Sequence, residues 1–207
     1  IALMSRQLMK YHPDIQKFTT IWMDTVRDGQ FGLSNTNKLI RFYPGATGLK
    51  TGFTSGAGYC LSATAERDGM GLIAVTMGCE TTQIRTSACK AMLDYGFASF
   101  ALYTPELPEE ITVPVTMGKS SDVQVVPGAA DSLLVEKTER NSITTEISLE
   151  ESLPAPVSEG AQVGNMTVKS GDRMLAQIPL VAANTVDRLT WQDIMLILLK
   201  SLSMSPQ

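Results

Sequence analysis

The sequence predicts an α+β fold. It reads as an antiparallel sheet with helices, then a small all-β sandwich, then a short amphipathic helix. Three observations carry this. Two adjacent apolar runs, "GYCLSATAERDG" and "MGLIAVTMG", are joined by Asp68-Gly69, a strong hairpin signal. Residues 110–185 hold short alternating runs separated by turn residues. The tail "TWQDIMLILLKSL" is almost wholly apolar after Thr190, a good helix cap.

The elements follow in order. Ile1, Leu3, Met4, Leu8 and Met9 recur at near-helical spacing, so residues 1–11 are predicted helical. Pro13 ends that helix, because proline disfavours helical geometry in the residue before it. "IQKFTTIWMDTVRDGQFGLSNTNKLI" reads as short strands or loops, with turns at Asp28-Gly29 and at Asn35-Thr36-Asn37. "LKTGFT" and the two apolar runs make a three-stranded antiparallel meander. A helix capped by Thr81 or Thr82 is expected from about 83 to 101, with Ile84, Ala88, Met92, Tyr95 and Phe100 as its apolar stripe. "TPELPEE" is a linker. The strand-like runs after it are "ITVPVTM", "VQVVP", "SLLVEK", "ITTEISL", "VGNMTVK" and "MLAQIPLVA". Asp131, Glu136 and Glu146 read as solvated faces of that sandwich. The boundaries fall at 1–102, 103–186 and 187–207.

The 207 residues carry a net charge of −4, which argues against a general nucleic-acid surface. Three cysteines, Cys60, Cys79 and Cys89, show neither CxxC nor Cys/His spacing. No metal and no cofactor are therefore expected. A Cys60–Cys79 bond stays open if their strands are neighbours. The chain starts at Ile1 without a signal peptide, and the expectation is the later part of a longer protein. The terminal helix is too short for a bilayer, which needs about 20 apolar residues. It suits an interfacial helix, or one docked on its own domain or on a partner.

The chemistry centres on Lys50-Thr51-Gly52. On a strand, Gly52 marks a place where a ligand or another backbone comes close. An extended substrate can add to such an edge. Thr51 would offer its hydroxyl to a carboxylate or carbonyl. Lys50 would supply charge beside a serine nucleophile. The backbone N–H of Phe53 would help hold an oxyanion.

"NTNKLIRFYPGATGLKTG", "SGAGYCLSATAERDGMGLIAVTMG" and "IRTSACKAMLDYGF" together resemble the low-molecular-mass penicillin-binding proteins, and more narrowly the serine D-alanyl-D-alanine carboxypeptidases. The resemblance is distinctive over 1–101 and looser over 103–186. It implies a β-lactamase/penicillin-binding transpeptidase-like domain, a trailing β-sandwich and a C-terminal anchor. It implies an enzyme that removes the last D-alanine of a peptidoglycan stem peptide through an acyl-enzyme, and that β-lactams acylate. Lys50-Thr51-Gly52 would be its third motif, and Arg85 would bind the terminal carboxylate. Phe53 stands where the family carries an aromatic or a histidine, so a polar ring there is lost.

The family's other two motifs are Ser-x-x-Lys, which carries the nucleophile, and Ser-x-Asn. Ser-x-Asn does not occur. Ser-x-x-Lys occurs once, at Ser87–Lys90, but after Lys-Thr-Gly and within the helix that follows the strands. The nucleophile is therefore expected upstream of Ile1, on the same chain or a separate one, and this chain alone is expected to be inactive. The expected partners are the stem peptide, β-lactams, that N-terminal segment and a membrane surface met by 188–207. The expected location is the extracytoplasmic face of the bacterial membrane. The alternatives are a β-lactamase-like hydrolase and a non-catalytic wall- or membrane-binding module. His12, Asn35, Asn37, Glu66, Arg67 and Asp68 read as turn or surface residues.

Overall fold

The computed structural model describes residues 1–107, 110–128 and 132–203, the last three by backbone alone. Pro108 and Glu109 of the expected linker, and Asp131, lie outside the described residues. The chain divides into two compact units, Ile1–Leu102 and Tyr103–Gln207.

The first unit opens with helix α1 (Ala2–Tyr11), which stops at His12. The next residues do not form a loop. Pro13–Ile15 is a 3-10 turn that runs into α2 (Gln16–Thr19). Pro13 at the first helical position and Asp14 in the first turn favour that start, and Asp14 pairs with Lys17 at 2.5 Å. Strands β1 (Met23–Val26) and β2 (Phe31–Ser34) form an exposed hairpin. Its turn holds Arg27, Asp28 and Gly29 at positive φ. A single helical turn, α3 (Leu39–Phe42), leads to the predicted meander. This comprises β3 (Ala46–Thr54), β4 (Gly58–Arg67) and β5 (Met70–Cys79), in that spatial order and antiparallel throughout. Helix α4 (Thr82–Ser99) follows, capped by Thr81, whose hydroxyl accepts from the Ile84 N–H at 3.1 Å. Strand β6 (Phe100–Tyr103) follows, and the boundary between the units falls within it.

Period two sorts the sheet into two faces. Leu61, Ala63 and Ala65 of β4 are buried in a cluster with Cys89, Leu93 and Phe97 of α4. Ser62 and Thr64 alternate with them and are also buried. Ser62 meets Ser5 of α1 at 2.7 Å, and Thr64 accepts from Thr47 at 2.8 Å. The expected apolar stripe of α4 is wrong. Ile84, Met92 and Tyr95 are exposed, and Phe100 lies beyond the helix in β6. The buried face is Arg85, Cys89, Leu93 and Phe97, at i, i+4 spacing. A buried arginine and a cysteine hid it from a hydrophobic count. Arg67 is likewise no free hairpin-tip residue. Its guanidinium lies 4.5 Å from the Tyr43 ring and 4.4 Å from the Phe97 ring, and its Nε donates to the Pro44 carbonyl. Gly45 beside it has φ +81°, and a Cβ there would lie 2.4 Å from the Glu66 carbonyl oxygen, so no larger residue fits.

The second unit holds β7 (Thr112–Thr116), β8 (Asp122–Pro127), β9 (Leu133–Glu136), β10 (Ile143–Leu149), β11 (Leu153–Pro154), β12 (Gln162–Ser170) and β13 (Arg173–Ala182). All six expected runs are strands. The two-residue β11 was not foreseen. Six strands form one sheet in the order β10-β12-β13-β8-β7-β11, antiparallel except for the β7–β11 pair. Its core is rich in valine: Val113, Val123, Val163 and Val168 are almost fully buried, with Met166 and Leu180. Helix α5 (Trp191–Ser203) closes the unit. Thr190 and Asp193 form a reciprocal cap. The Asp193 carboxylate accepts from the Thr190 N–H and hydroxyl at 2.8 and 2.6 Å, and the Asp193 N–H donates back at 3.3 Å. No helix among the described residues is long and apolar enough to cross a membrane.

Candidate functional site

Strand β3 is the outer strand of its three-stranded sheet, so its far edge has no strand partner among the described residues. Lys50, Thr51, Gly52 and Phe53 face Ser62, Leu61, Cys60 and Tyr59 of β4. Beside this edge lies an open cavity of about 600 Å³. All five residues singled out from the sequence line it: Lys50, Thr51, Gly52, Phe53 and Arg85. Residues 34–36, Lys38, Tyr59 and Thr82 complete the wall.

Each position has a local cause. Arg85 is carried inward by the first turn of α4 and is only 4% exposed. Its Nη1 and Nη2 donate to the carbonyls of Cys60 and Thr36 at 3.5 and 3.3 Å. Its Nε is buried and has no hydrogen-bond partner. No carboxylate pairs with it among the described residues. A buried guanidinium with spare donors and no counter-charge is costly unless an anion joins it. Lys50 folds its ammonium onto the Thr51 carbonyl. The Phe53 ring stacks on Tyr59, with centroids 4.4 Å apart. Gly52 is not crowded: a Cβ there would find only the Cys60 Cβ, at 4.0 Å. Its missing side chain leaves open space instead of fitting a neighbour within this chain.

Three cations, Lys38, Lys50 and Arg85, line the cavity, and no acidic residue does. In a chain of net charge −4 this is a local inversion, suited to an anionic ligand. A smaller hollow, about 190 Å³, is bounded by Ile1 and by residues of β3, β4 and β5, among them Lys50, Gly52, Cys60, Ser62 and Met77. Lys50, Thr51 and Gly52 thus border both spaces.

Other candidates fall elsewhere. Ser87 and Lys90 sit on the exposed side of α4 and do not line the cavity. His12 caps the exposed end of α1. Asn37 is 2% exposed and donates to the Gly48 carbonyl of β3 at 2.8 Å. The cysteines are free thiols, and Cys79 lies opposite Tyr59, not Cys60. Burial pushes the Cys89 thiol above its usual pKa. No metal-holding cluster occurs among the described residues. Thr36 was seen in the sequence only as a turn residue. Its hydroxyl lies 2.7 Å from that of Thr51.

The sequence profile of D-alanyl-D-alanine carboxypeptidases matches residues 1–81, and that of the penicillin-binding protein 5 C-terminal domain matches residues 109–188. The D-alanyl-D-alanine carboxypeptidase DacF of Bacillus subtilis is 35% identical over 189 residues, covering 88% of this chain and 48% of the relative. DacC of Escherichia coli is 33% identical over 143 residues, covering 68% and 36%. This chain belongs to the D-alanyl-D-alanine carboxypeptidase family of low-molecular-mass penicillin-binding proteins. Penicillin-binding protein 5 from Haemophilus influenzae superposes with a TM-score of 0.72 at 26% identity, over 90% of this chain and 55% of that one. DacD from Francisella tularensis superposes at 0.51 with 29% identity, over 77% and 40%. The chain spans about half or less of the length of the curated family members it matches.

Proposed function

We propose that this chain supplies the substrate-binding wall of a serine-type D-alanyl-D-alanine carboxypeptidase acting on peptidoglycan stem peptides. The carrying observation is the acid-free cavity in which Thr51 and the buried, under-partnered Arg85 stand beside a strand edge. Such a seat suits a peptide that ends in a carboxylate. The peptide would lie along β3 as an added strand. Thr51 and Arg85 would hold its terminal carboxylate, by a hydroxyl and by a charge-assisted bond. Lys50 would supply positive charge beside the nucleophile and favour its deprotonation. The Phe53 N–H would stabilise the oxyanion of the tetrahedral intermediate. The serine oxygen would bond to the penultimate D-alanine carbonyl carbon, and the last D-alanine would leave with the proton. Water would then hydrolyse the acyl-enzyme. A β-lactam would acylate the same serine.

That serine is supplied, in this reading, by protein outside these 207 residues. The support is the lack of Ser-x-Asn, the exposed position of Ser87 and the half-length match to the relatives. A fluorescent penicillin tests both parts. The complete polypeptide should be labelled covalently and should release D-alanine from a peptide ending in D-Ala-D-Ala. The isolated chain should do neither, and its labelling would refute the assignment of the nucleophile.

Helix α5 supports a peripheral membrane anchor, with the enzyme at the extracytoplasmic face. Trp191, Met195, Leu196, Ile197, Leu198 and Leu199 are all more than half exposed. Co-sedimentation with liposomes should be lost on removing residues 188–207, and equal binding by the truncated chain would rule the anchor out.

A further inference from the structure

Thr36 is an exposed threonine whose two polar ends are both engaged. Its hydroxyl meets the Thr51 hydroxyl at 2.7 Å. Its carbonyl accepts from Arg85 Nη2 at 3.3 Å. It therefore touches both groups that the proposed function assigns to the substrate carboxylate, although it lies in a different segment from either.

Its neighbours clamp it there. Asn35 donates to the carbonyls of Thr19 and Ile21 at 3.1 and 3.0 Å, and accepts from the Asn37 N–H at 2.9 Å. Asn37 is buried, donates to the Gly48 carbonyl of β3, and accepts from the Leu39 N–H at 3.2 Å. The backbone at 36 is thus fastened on both sides, and one fastening is to the strand that carries Thr51. The position of the hydroxyl is set by Asn35, which lines the cavity, and by Asn37, which does not.

Two hydroxyls in contact hold two protons and use one between them. If Thr36 donates, the proton of Thr51 is free to point into the cavity. If Thr36 were absent, the Thr51 hydroxyl would be an unrestrained rotor.

We propose that Thr36 is a positioning residue of this site: it donates to Thr51 Oγ1, which turns the Thr51 proton towards a bound carboxylate, while its carbonyl holds the Arg85 guanidinium in place. This rests on the carboxypeptidase reading above. Thr36 adds no charge, so its contribution is orientation of the carboxylate seat and should be read in KM.

The test uses the complete polypeptide and two peptides, one ending in D-Ala-D-Ala with a free carboxylate and one with that terminus amidated. Thr36→Val removes the hydroxyl and keeps the shape and the carbonyl. Thr36→Ser keeps the hydroxyl. For the free acid, Thr36→Val should raise KM by about fivefold to tenfold, the scale of one lost hydrogen bond. It should leave kcat within about twofold. Thr36→Ser should match the wild type, and the amidated peptide should be handled alike by all three. A wild type that turns over the free acid while Thr36→Val shows the same KM overturns the proposal. So does a Thr36→Val defect of equal size on both peptides, or a Thr36→Ser variant as impaired as the valine. A wild type that neither releases D-alanine nor takes up penicillin removes the carboxypeptidase reading, and the Thr36 assignment falls with it.

Discussion

The two units of this chain bury apolar surface in different ways. The second has a core of long and branched side chains, with Val163, Met166, Val168 and Leu180 fully buried. Outside α5, its large exposed hydrophobics are Met117, Leu134 and Met174 among the described residues. The first unit fills its core partly with small residues, Ala63, Ala65, Ala74 and Cys89. It leaves Leu3, Met4, Phe18, Met23, Phe31 and Phe42, with others, largely in solvent. Burial of each such side chain is worth about 1.5–3 kcal/mol, so this surface is a large unused resource. Outside α5, the second unit keeps its large apolar side chains inside, and the first leaves many of its own in solvent.

The sharpest way to break this contrast is to cut a core. Leu180→Ala should destabilise the second unit by about 2–5 kcal/mol, read as a fall in its thermal transition with the first unit unchanged. Loss of both transitions together would mean that the units are not independent. Next comes the exposed surface. Residues 1–102 alone should bind a hydrophobic dye such as ANS strongly, and residues 103–190 weakly; similar signals would erase the distinction.

A third test concerns Tyr43. Burial, and then its hydrogen bond to Asp94, push the phenol up to about 12, from about 10 when unfolded. A raised acid binds its proton more tightly in the folded state, so this contribution is intact below pH ~10 and is lost as pH rises towards ~12. The first unit should lose stability in that window by chemical denaturation, and Tyr43→Phe should flatten the loss. A smaller effect is expected for Gly52→Ala. With open space at its Cβ, it should leave the melting behaviour almost unchanged while weakening capture of D-Ala-D-Ala peptide by the complete protein. A marked fall in melting temperature would show a packing role instead. The smallest concerns α5. Its cap holds Asp193 below the usual carboxylate range, through the bonds from Thr190. That support is present above the unfolded carboxylate pKa and is lost as pH falls through the lowered value. Circular dichroism should show the start of α5 fraying in acid, and Asp193→Asn should remove the pH dependence.

Much of this was legible in the sequence because it is local. The meander follows from Asp68-Gly69 and flanking alternation, α1 from its spacing and Pro13, and the later strands from turn residues at regular intervals. One misreading is tertiary and one is local. The buried face of α4 was hidden because Arg85 and Cys89 take positions that a hydrophobicity scale assigns to Ile84 and Met92. Residues 15–19 read as strand or loop, and proline and aspartate just before them start a helical turn instead. Within the site, Lys50-Thr51-Gly52 is a contiguous signature and Arg85 stands at a recognisable place in its helix. Thr36 has neither advantage. Its partners are 15 and 49 residues away, and nothing in Asn-Thr-Asn distinguishes a turn from a clamp.

The free edge of β3 has a consequence for how this wall can change. The N–H and C=O groups along it belong to the backbone. Replacing Lys50, Thr51 or Phe53 alters a side chain and leaves the row of amides in place; only proline deletes a donor. Single-codon variation therefore leaves most of the edge's hydrogen-bonding pattern untouched. New preferences at this wall would have to arise from the residues that line it, at positions 50, 51 and 52 on the strand and at 36, 38 and 85 around it.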